Sequence, residues 1–379
     1  MKLRLLSLLI LLSALFCPCA MAEGPDDGDQ AQTLLSARVA YVVEQGPIEG
    51  VEPEQLWQRL EVIITSGARR GEVITVETTR FPSARPTVYR EGDRLFVSES
   101  EGADGEPVLL IVGRDRSAPL VALAILFVLL VLAIGRRQGI GALLGLALSF
   151  GIVFWFLVPA MAEGTSPIRA VLLGLAVAMP ISFYLSHGLN LKSTIALLAS
   201  WLGLLVTWGL ANLAVQLVHL SGLAADEAMF LQALRPGDYD FSALLVAGML
   251  ISMMGVLDDV TVAQAAVIEQ LRLGDPSLGW RELFARAMHV GRDHIASMVN
   301  TLVLVYAGAS LPLLLLLTDR SLPLGYVLSQ QIVAEEIVRM LVTSAGLLAV
   351  VPICTLLAAL VFGRRPRVVE PTPNGGNPS

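Results

Sequence analysis

The chain has 379 residues, 55% hydrophobic and only 16% charged, with a formal net charge of −7. An ordinary soluble domain carries about 25% charged residues, so the composition departs from that class, and no basic patch invites nucleic acid. Of the three cysteines, Cys17 and Cys19 lie in an N-terminal leader and Cys354 in the last apolar run, so an exported domain has no disulfide to rely on.

Residues 1–22 read as a secretory signal. Lys2 and Arg4 open it, Leu5 to Phe16 form the apolar run, and Ala20-Met21-Ala22 is a small-x-small cleavage site. An uncleaved anchor is the alternative, and either form places the next residues outside the cytoplasm. Residues 23–33 are acidic and polar, the composition of a disordered segment. Short β-type runs then appear at Arg38 to Glu44, Glu61 to Thr65, Val73 to Thr79, Arg94 to Ser98 and Val108 to Val112. Turn signals such as Glu91-Gly92-Asp93 separate them. They predict a small barrel, OB-like or SH3-like. A helical turn is expected near Pro53 to Leu60.

Seven apolar spans come next, at 118–135, 139–161, 168–187, 194–217, 242–263, 295–317 and 338–362. The tail from Arg364 is rich in proline and glycine. The expected architecture is a membrane all-α helical bundle of about seven transmembrane helices with a small N-terminal extracytoplasmic β-rich domain. Its parts are the signal peptide 1–22, the β domain 23–116, the helical domain 117–363 and a disordered cytoplasmic tail 364–379. Basic residues set the orientation. Arg136, Arg137, Lys192, Arg272, Arg281, Arg286, Arg292, Arg364, Arg365 and Arg367 fall on one side, against Arg169, Arg235, Arg320 and Arg339 on the other. The bias puts the N-terminus out and the C-terminus in, as the signal does. A multi-pass protein of a bacterial plasma membrane is expected.

The fifth span carries the most informative residues. Asp258 and Asp259 stand about 24 Å past Ser242 along a helix, within a core about 30 Å thick. An aspartate there costs about 2.5–3.5 kcal/mol on insertion scales, which makes it a candidate for function. The alternative is a structural cap or ion pair at the cytoplasmic surface. Gly248, Ser252, Gly255 and Asp259 share one face, a helix-packing stripe for a partner helix. Asp258 points about 100° away, toward Thr261. The sixth span opens with Arg292-Asp293-His294 and continues through Ser297, Asn300 and Thr301. Both aspartates are therefore expected against the sixth span, in reach of Arg292, His294 or Asn300. At the start of the seventh span, Glu335 with Arg339 and Glu336 with Arg339 form helix-spaced pairs, or a cation-attracting outer mouth. No HExxH, GxSxG, P-loop or CxxC is present, so the chain does not read as an enzyme.

The run Gly255-Val256-Leu257-Asp258-Asp259-Val260-Thr261-Val262-Ala263-Gln264 resembles the signature helix of the YibE/F-like family of bacterial membrane proteins. So does Gly291-Arg292-Asp293-His294-Ile295-Ala296-Ser297, continuing through Asn300-Thr301-Leu302-Val303-Leu304 to Tyr306-Ala307-Gly308-Ala309-Ser310-Leu311-Pro312. Glu336-Ile337-Val338-Arg339 and Ala349-Val350-Val351-Pro352 fit as well, whereas Thr343-Ser344-Ala345-Gly346 departs from an expected Gly-Ser-x-Gly. The resemblance implies a leader, an exported β domain and several spans, and the label permease. It implies no substrate and no cofactor.

Two functional readings stand. In the first, the chain is a permease or secondary transporter. Asp258, Asp259, Thr261, Arg292, His294, Asn300, Glu335 and Glu336 would then line a path for a small solute, proton or cation through spans five to seven. In the second, it is a non-transporting envelope assembly or sensing protein whose exported domain binds a protein partner. The lipid bilayer is a partner in both, and a homo-oligomer is compatible with both.

Overall fold

The computed structural model describes residues 34–48, 55–67, 69–78, 87–101, 107–316 and 323–364. The expected signal peptide, the acidic segment after it and the tail beyond Arg364 lie outside these. The chain divides into two compact units, one ending at Ile134 and the other beginning at Gly135.

The first unit contains a single antiparallel sheet of five strands: β1 (Leu34–Pro47), β2 (Leu56–Ile64), β3 (Val73–Glu77), β4 (Arg94–Glu101) and β5 (Pro107–Arg114). Their order is β3-β2-β1-β4-β5. Each overlaps one of the runs expected from sequence, although β2 begins five residues before its run and β3 ends two residues before the end of its run. Alternation explains them: Ala37 and Val39 on β1, Leu60, Val62 and Ile64 on β2, and Leu95 and Val97 on β4 all point inward and are buried. The long β1 serves as the hub. It pairs with β2 along most of its length, with irregularities at Val39/Tyr41 and Val42/Glu44, and with β4 from Leu34↔Ser98 to Arg38↔Arg94.

The expected helical turn near Pro53 to Leu60 is corrected from Leu56 onward: those residues begin β2. Backbone pairing with β1 and β3 makes this run a strand, and Gln58 packs within it. Gln58 is 1% exposed, and its amide accepts from Tyr89 N–H at 2.7 Å and donates to Tyr89 C=O at 3.0 Å. That reciprocal pair satisfies groups which would be costly to bury alone.

The helices are α1 (Ser117–Ile152), α2 (Val158–Ala162), α3 (Pro167–His187), α4 (Leu191–Val218), α5 (Asp226–Leu234), α6 (Phe241–Gly274), α7 (Trp280–Ala309), α8 (Leu311–Leu316), α9 (Leu324–Ser329) and α10 (Gln331–Gly363). Arg136, at φ 48 and ψ −120, breaks α1 into two spans. A five-residue π turn, Val153–Leu157, joins α1 to α2. Pro159 comes after it and has no N–H to offer the preceding turn.

Six helices among the described residues are long and apolar enough to cross a membrane: Ser117–Arg136, Gln138–Ala162, Pro167–His187, Leu191–Val218, Phe241–Gly274 and Gln331–Gly363. Of the seven expected spans, 295–317 is the one without such a helix among the described residues. The sixth expected span, 295–317, is divided between α7, which begins at Trp280, and α8. Arg292, Asp293, His294 and Asn300 dilute the apolar content of α7, and the helix ends before Pro312.

Half of the apolar window of each of α4, α6 and α10 is buried, which makes these three the centre of the second unit. Residue pairing fixes their directions. Ser200 of α4 bonds Thr261 of α6 at 3.0 Å, and Lys192 faces Glu269, so these two run antiparallel. Cys354 Sγ donates to Thr261 C=O at 3.2 Å, and a Cβ on Gly346 would sit 3.1 Å from Met253 Sδ, so α6 and α10 run parallel. Trp280 lies at Gly363, Gly291 at Val351, and Tyr306 bonds Thr343 at 3.0 Å, so α7 runs antiparallel to α10.

Close approach relies on glycine. A Cβ on Gly203 or Gly346 would overlap Val350 or Thr207. On Gly141 it would meet Leu185 C=O at 3.0 Å, which lets α1 settle on α3. The expected packing stripe behaves differently. A Cβ built on Gly248 or Gly255 meets nothing within 4 Å among the described residues. Ser252 and Gly255 are exposed, and Ser252 Oγ donates to Gly248 C=O of its own helix.

Candidate functional site

Asp258 sits midway along α6, about 25 Å from its first residue at 1.5 Å per residue. The helix runs on to Gly274, so the carboxylate lies well inside it and not at either end. Its partner is His187, the last residue of α3, whose Nε2 stands 3.2 Å from Asp258 Oδ1. That buried oxygen has no aligned hydrogen-bond donor among the described residues. The two side chains are 33% and 28% exposed. The imidazole stands beside the carboxylate and leaves it acceptor capacity.

A cavity of about 410 Å³ opens beside Asp258, between α1, the π turn, α3 and α6. Phe150, Leu157, Leu175, Ala178, Ile251 and Met254 give it apolar walls. Its polar lining consists of Ser149, Ser182, Ser186 and Asp258. Ser182 and Ser186 are one turn apart on α3 and present their hydroxyls toward Gly145. A Cβ there would come within 3.2 and 3.5 Å of the two oxygens.

The other expected site residues are scattered. Asp259 is exposed and makes no hydrogen bond or ion pair among the described residues. Thr261 is fully buried, and its hydroxyl is spent on Leu257 C=O at 2.8 Å and on Ser200. It joins α4 to α6 and does not line the cavity. Arg292 and Asn300 are exposed on α7. His294 has a buried Nε2 without a hydrogen-bond partner among the described residues. The contact found for Asp258 is thus with α3, not with the polar groups of α7.

Glu335 and Glu336 separate as well. Glu335, 5% exposed, accepts from Gly222 N–H at 3.0 Å and from Gln331 Nε2 at 2.9 Å. It fastens the loop after α4 to the start of α10, in place of the expected pair with Arg339. Arg339 Nε lies 3.6 Å from Glu336 Oε2, as the spacing suggested. Gln264 ties α6 to α7 and α10, donating to Ala287 C=O at 3.1 Å and Thr355 Oγ1 at 2.7 Å. Among the described residues no three His, Cys, Asp or Glu side chains converge on a metal position.

The helices that build this arrangement match a family model over residues 123–364, described as YibE/F-like protein. The chain belongs to the YibE/F-like family. The match covers every helix around the Asp258 cavity and stops short of the β sheet. No curated protein and no solved structure matches the chain. Within this YibE/F-like helical region, sequence reasoning missed His187, Ser182 and Ser186. The signal was present as Ser182-x-x-x-Ser186-His187 closing an apolar span, two hydroxyls on one face with an imidazole at the helix end.

Proposed function

We propose that this YibE/F-like chain is a permease whose polar path passes Asp258 and His187 between α3 and α6. The observation that carries the reading is the buried, incompletely satisfied carboxylate oxygen at the cavity. Ionisable groups inside membrane helices are expensive and mark ion or substrate paths. Binding and release of a proton or cation at Asp258 would make and break its contact with His187, biasing α3 against α6. The π turn lines the same cavity through Val153 and Leu157, with Pro159 just after it, and supplies a deformable segment, since π bulges recur at functional sites. In this reading the β domain is extracytoplasmic and the tail cytoplasmic, on the signal peptide and arginine bias. The parallel course of α6 and α10 supports a seventh crossing by α7 and α8 between them.

The test is solute uptake and proton movement in vesicles of purified protein. Asp258→Asn should abolish transport with insertion intact, and Asp259→Asn should retain most of it. Equal transport by the wild type and Asp258→Asn would defeat the reading.

A partner-binding role for the β domain has its own support. Tyr41, Val43, Ile63 and Val73 are large apolar side chains exposed on β1 to β3. The strand order, with β1 paired on both sides, fits a five-stranded OB-type barrel, a fold that binds ligands on its strand face. Ile63→Asp should abolish co-purification of an envelope protein if this role holds and leave transport intact.

A further inference from the structure

The polar and apolar groups of the Asp258 cavity define a chemistry narrower than that of a general path. We infer that this cavity is a binding site for a small organic ammonium ion with an aliphatic body. As a transport substrate, such an ion rests on the permease reading above, whereas its binding does not.

The volume, about 410 Å³, falls in the range of small-molecule sites, roughly 300–1,000 Å³. One carboxylate and no lysine or arginine line it, so an anion is disfavoured and a single positive charge is matched. A hard divalent ion such as calcium takes about six or more oxygen ligands, and no histidine or cysteine among the described residues lines the cavity to hold a softer one. The lining offers one carboxylate and three hydroxyls, with no second carboxylate. A neutral polyol would leave most of its hydroxyls against Phe150, Leu157, Leu175 and Met254, an unmade-bond penalty of about 1–3 kcal/mol each.

A primary ammonium fits on both counts. Its N–H groups would supply the donor that Asp258 Oδ1 lacks. The remaining donors have Ser182 and Ser186, whose hydroxyls lie together on one face of α3. The aliphatic body would then cover the apolar walls, where burial stabilises by about 25 cal/mol per Å². His187, 3.2 Å from the same oxygen, competes for Asp258 when it carries a proton. The site therefore holds either the internal imidazole or the external ammonium against one carboxylate.

The probe is n-butylammonium chloride, titrated into purified full-length protein in detergent and read by calorimetry and thermal midpoint. Saturable binding with a raised midpoint is expected, with no comparable effect from n-butanol or potassium chloride. Asp258→Asn should abolish the binding. Ser182→Ala, a milder change, should weaken it about tenfold, the loss of one charge-assisted hydrogen bond. Asp259→Asn should leave it unchanged. Equal binding of n-butanol would show an apolar pocket open to lipid and overturn the inference. So would saturable potassium binding, or full n-butylammonium binding by both Asp258→Asn and Ser182→Ala. Uptake of labelled n-butylammonium into vesicles separates the two claims. Binding without uptake would sink the permease reading alone, and uptake of another solute without n-butylammonium binding would sink the ammonium site alone.

Discussion

Asp258 of α6 meets His187 of α3 with 3.2 Å between Oδ1 and Nε2. The contact crosses two helices and involves side chains about one-third exposed, so its net worth is modest, roughly 1 kcal/mol. A double-mutant cycle isolates it. Asp258→Asn and His187→Leu should couple by about that amount in thermal unfolding. Asp258→Asn and Arg292→Ala should add independently, because Arg292 is exposed on α7. Coupling to Arg292 and none to His187 would contradict the pairing.

Two sets of glycines give opposite expectations. A Cβ at Gly346 would overlap the Thr207 hydroxyl and press on Met253 Sδ at 3.1 Å. Gly346→Ala should therefore destabilise by about 1–3 kcal/mol, the cost of overpacking. Gly248→Ala adds its methyl to open space and gains helix propensity, roughly 0.5–1 kcal/mol. Thermal midpoints of the two variants in detergent should move in opposite directions.

Asp240 caps α6, accepting from Ala243 N–H at 3.0 Å and from Ser242 Oγ at 2.7 Å. The Ala243 N–H, with help from the Ser242 hydroxyl, holds its carboxyl below the usual carboxylate range. A carboxyl depressed in the folded state stabilises above its unfolded value and loses that contribution as pH falls through the folded one. At pH 7, Asp240→Ala should cost about 0.5–2 kcal/mol. The difference from wild type should narrow as pH drops below about 4. A difference that widens on acidification would reverse the sign and rule out this origin.

The strands were legible because alternation survives in one strand at a time: Val62 and Ile64, or Leu95 and Val97, declare an inner face without knowledge of any neighbour. The run from Pro53 to Leu60 misled because its spacing suits a helix, and the pairing with β1 and the bonds to the backbone of Tyr89 that make Gln58 a strand residue come from elsewhere in the chain. Asp258 stood out for the same local reason as the strands, a charge in an apolar run. Its partner did not, since helical periodicity gives a face and not the identity of the helix beyond it. Chain order suggested the next helix along. Packing gave α3, because Gly141 and Gly145 let α1 approach α3, with Ser182 and Ser186 lining the cavity and His187 beside Asp258. The Gly248 and Gly255 stripe was read correctly as small but assigned a neighbour it does not touch among the described residues.

The course of the chain between α6 and α10 can be decided by labelling. Thr261 with Cys354 and Gln264 with Thr355 show the two helices running the same way. Two parallel helices joined by one connection require the chain to return to the starting side between them. The described segment that returns is α7, with Trp280 at Gly363 and Tyr306 at Thr343. Its polar residues keep it from reading as a simple apolar span, yet its direction is that of a crossing. Single cysteines at Ser277, between α6 and α7, and at Tyr326, on α9 before α10, should therefore react with an impermeant thiol reagent from opposite sides of the membrane. Cys354 is buried and should stay silent, and Cys17 and Cys19 are replaced by serine for the measurement. Labelling of both positions from the same side would mean that α7 and α8 do not cross, and would place the C-terminus on the side of the β domain.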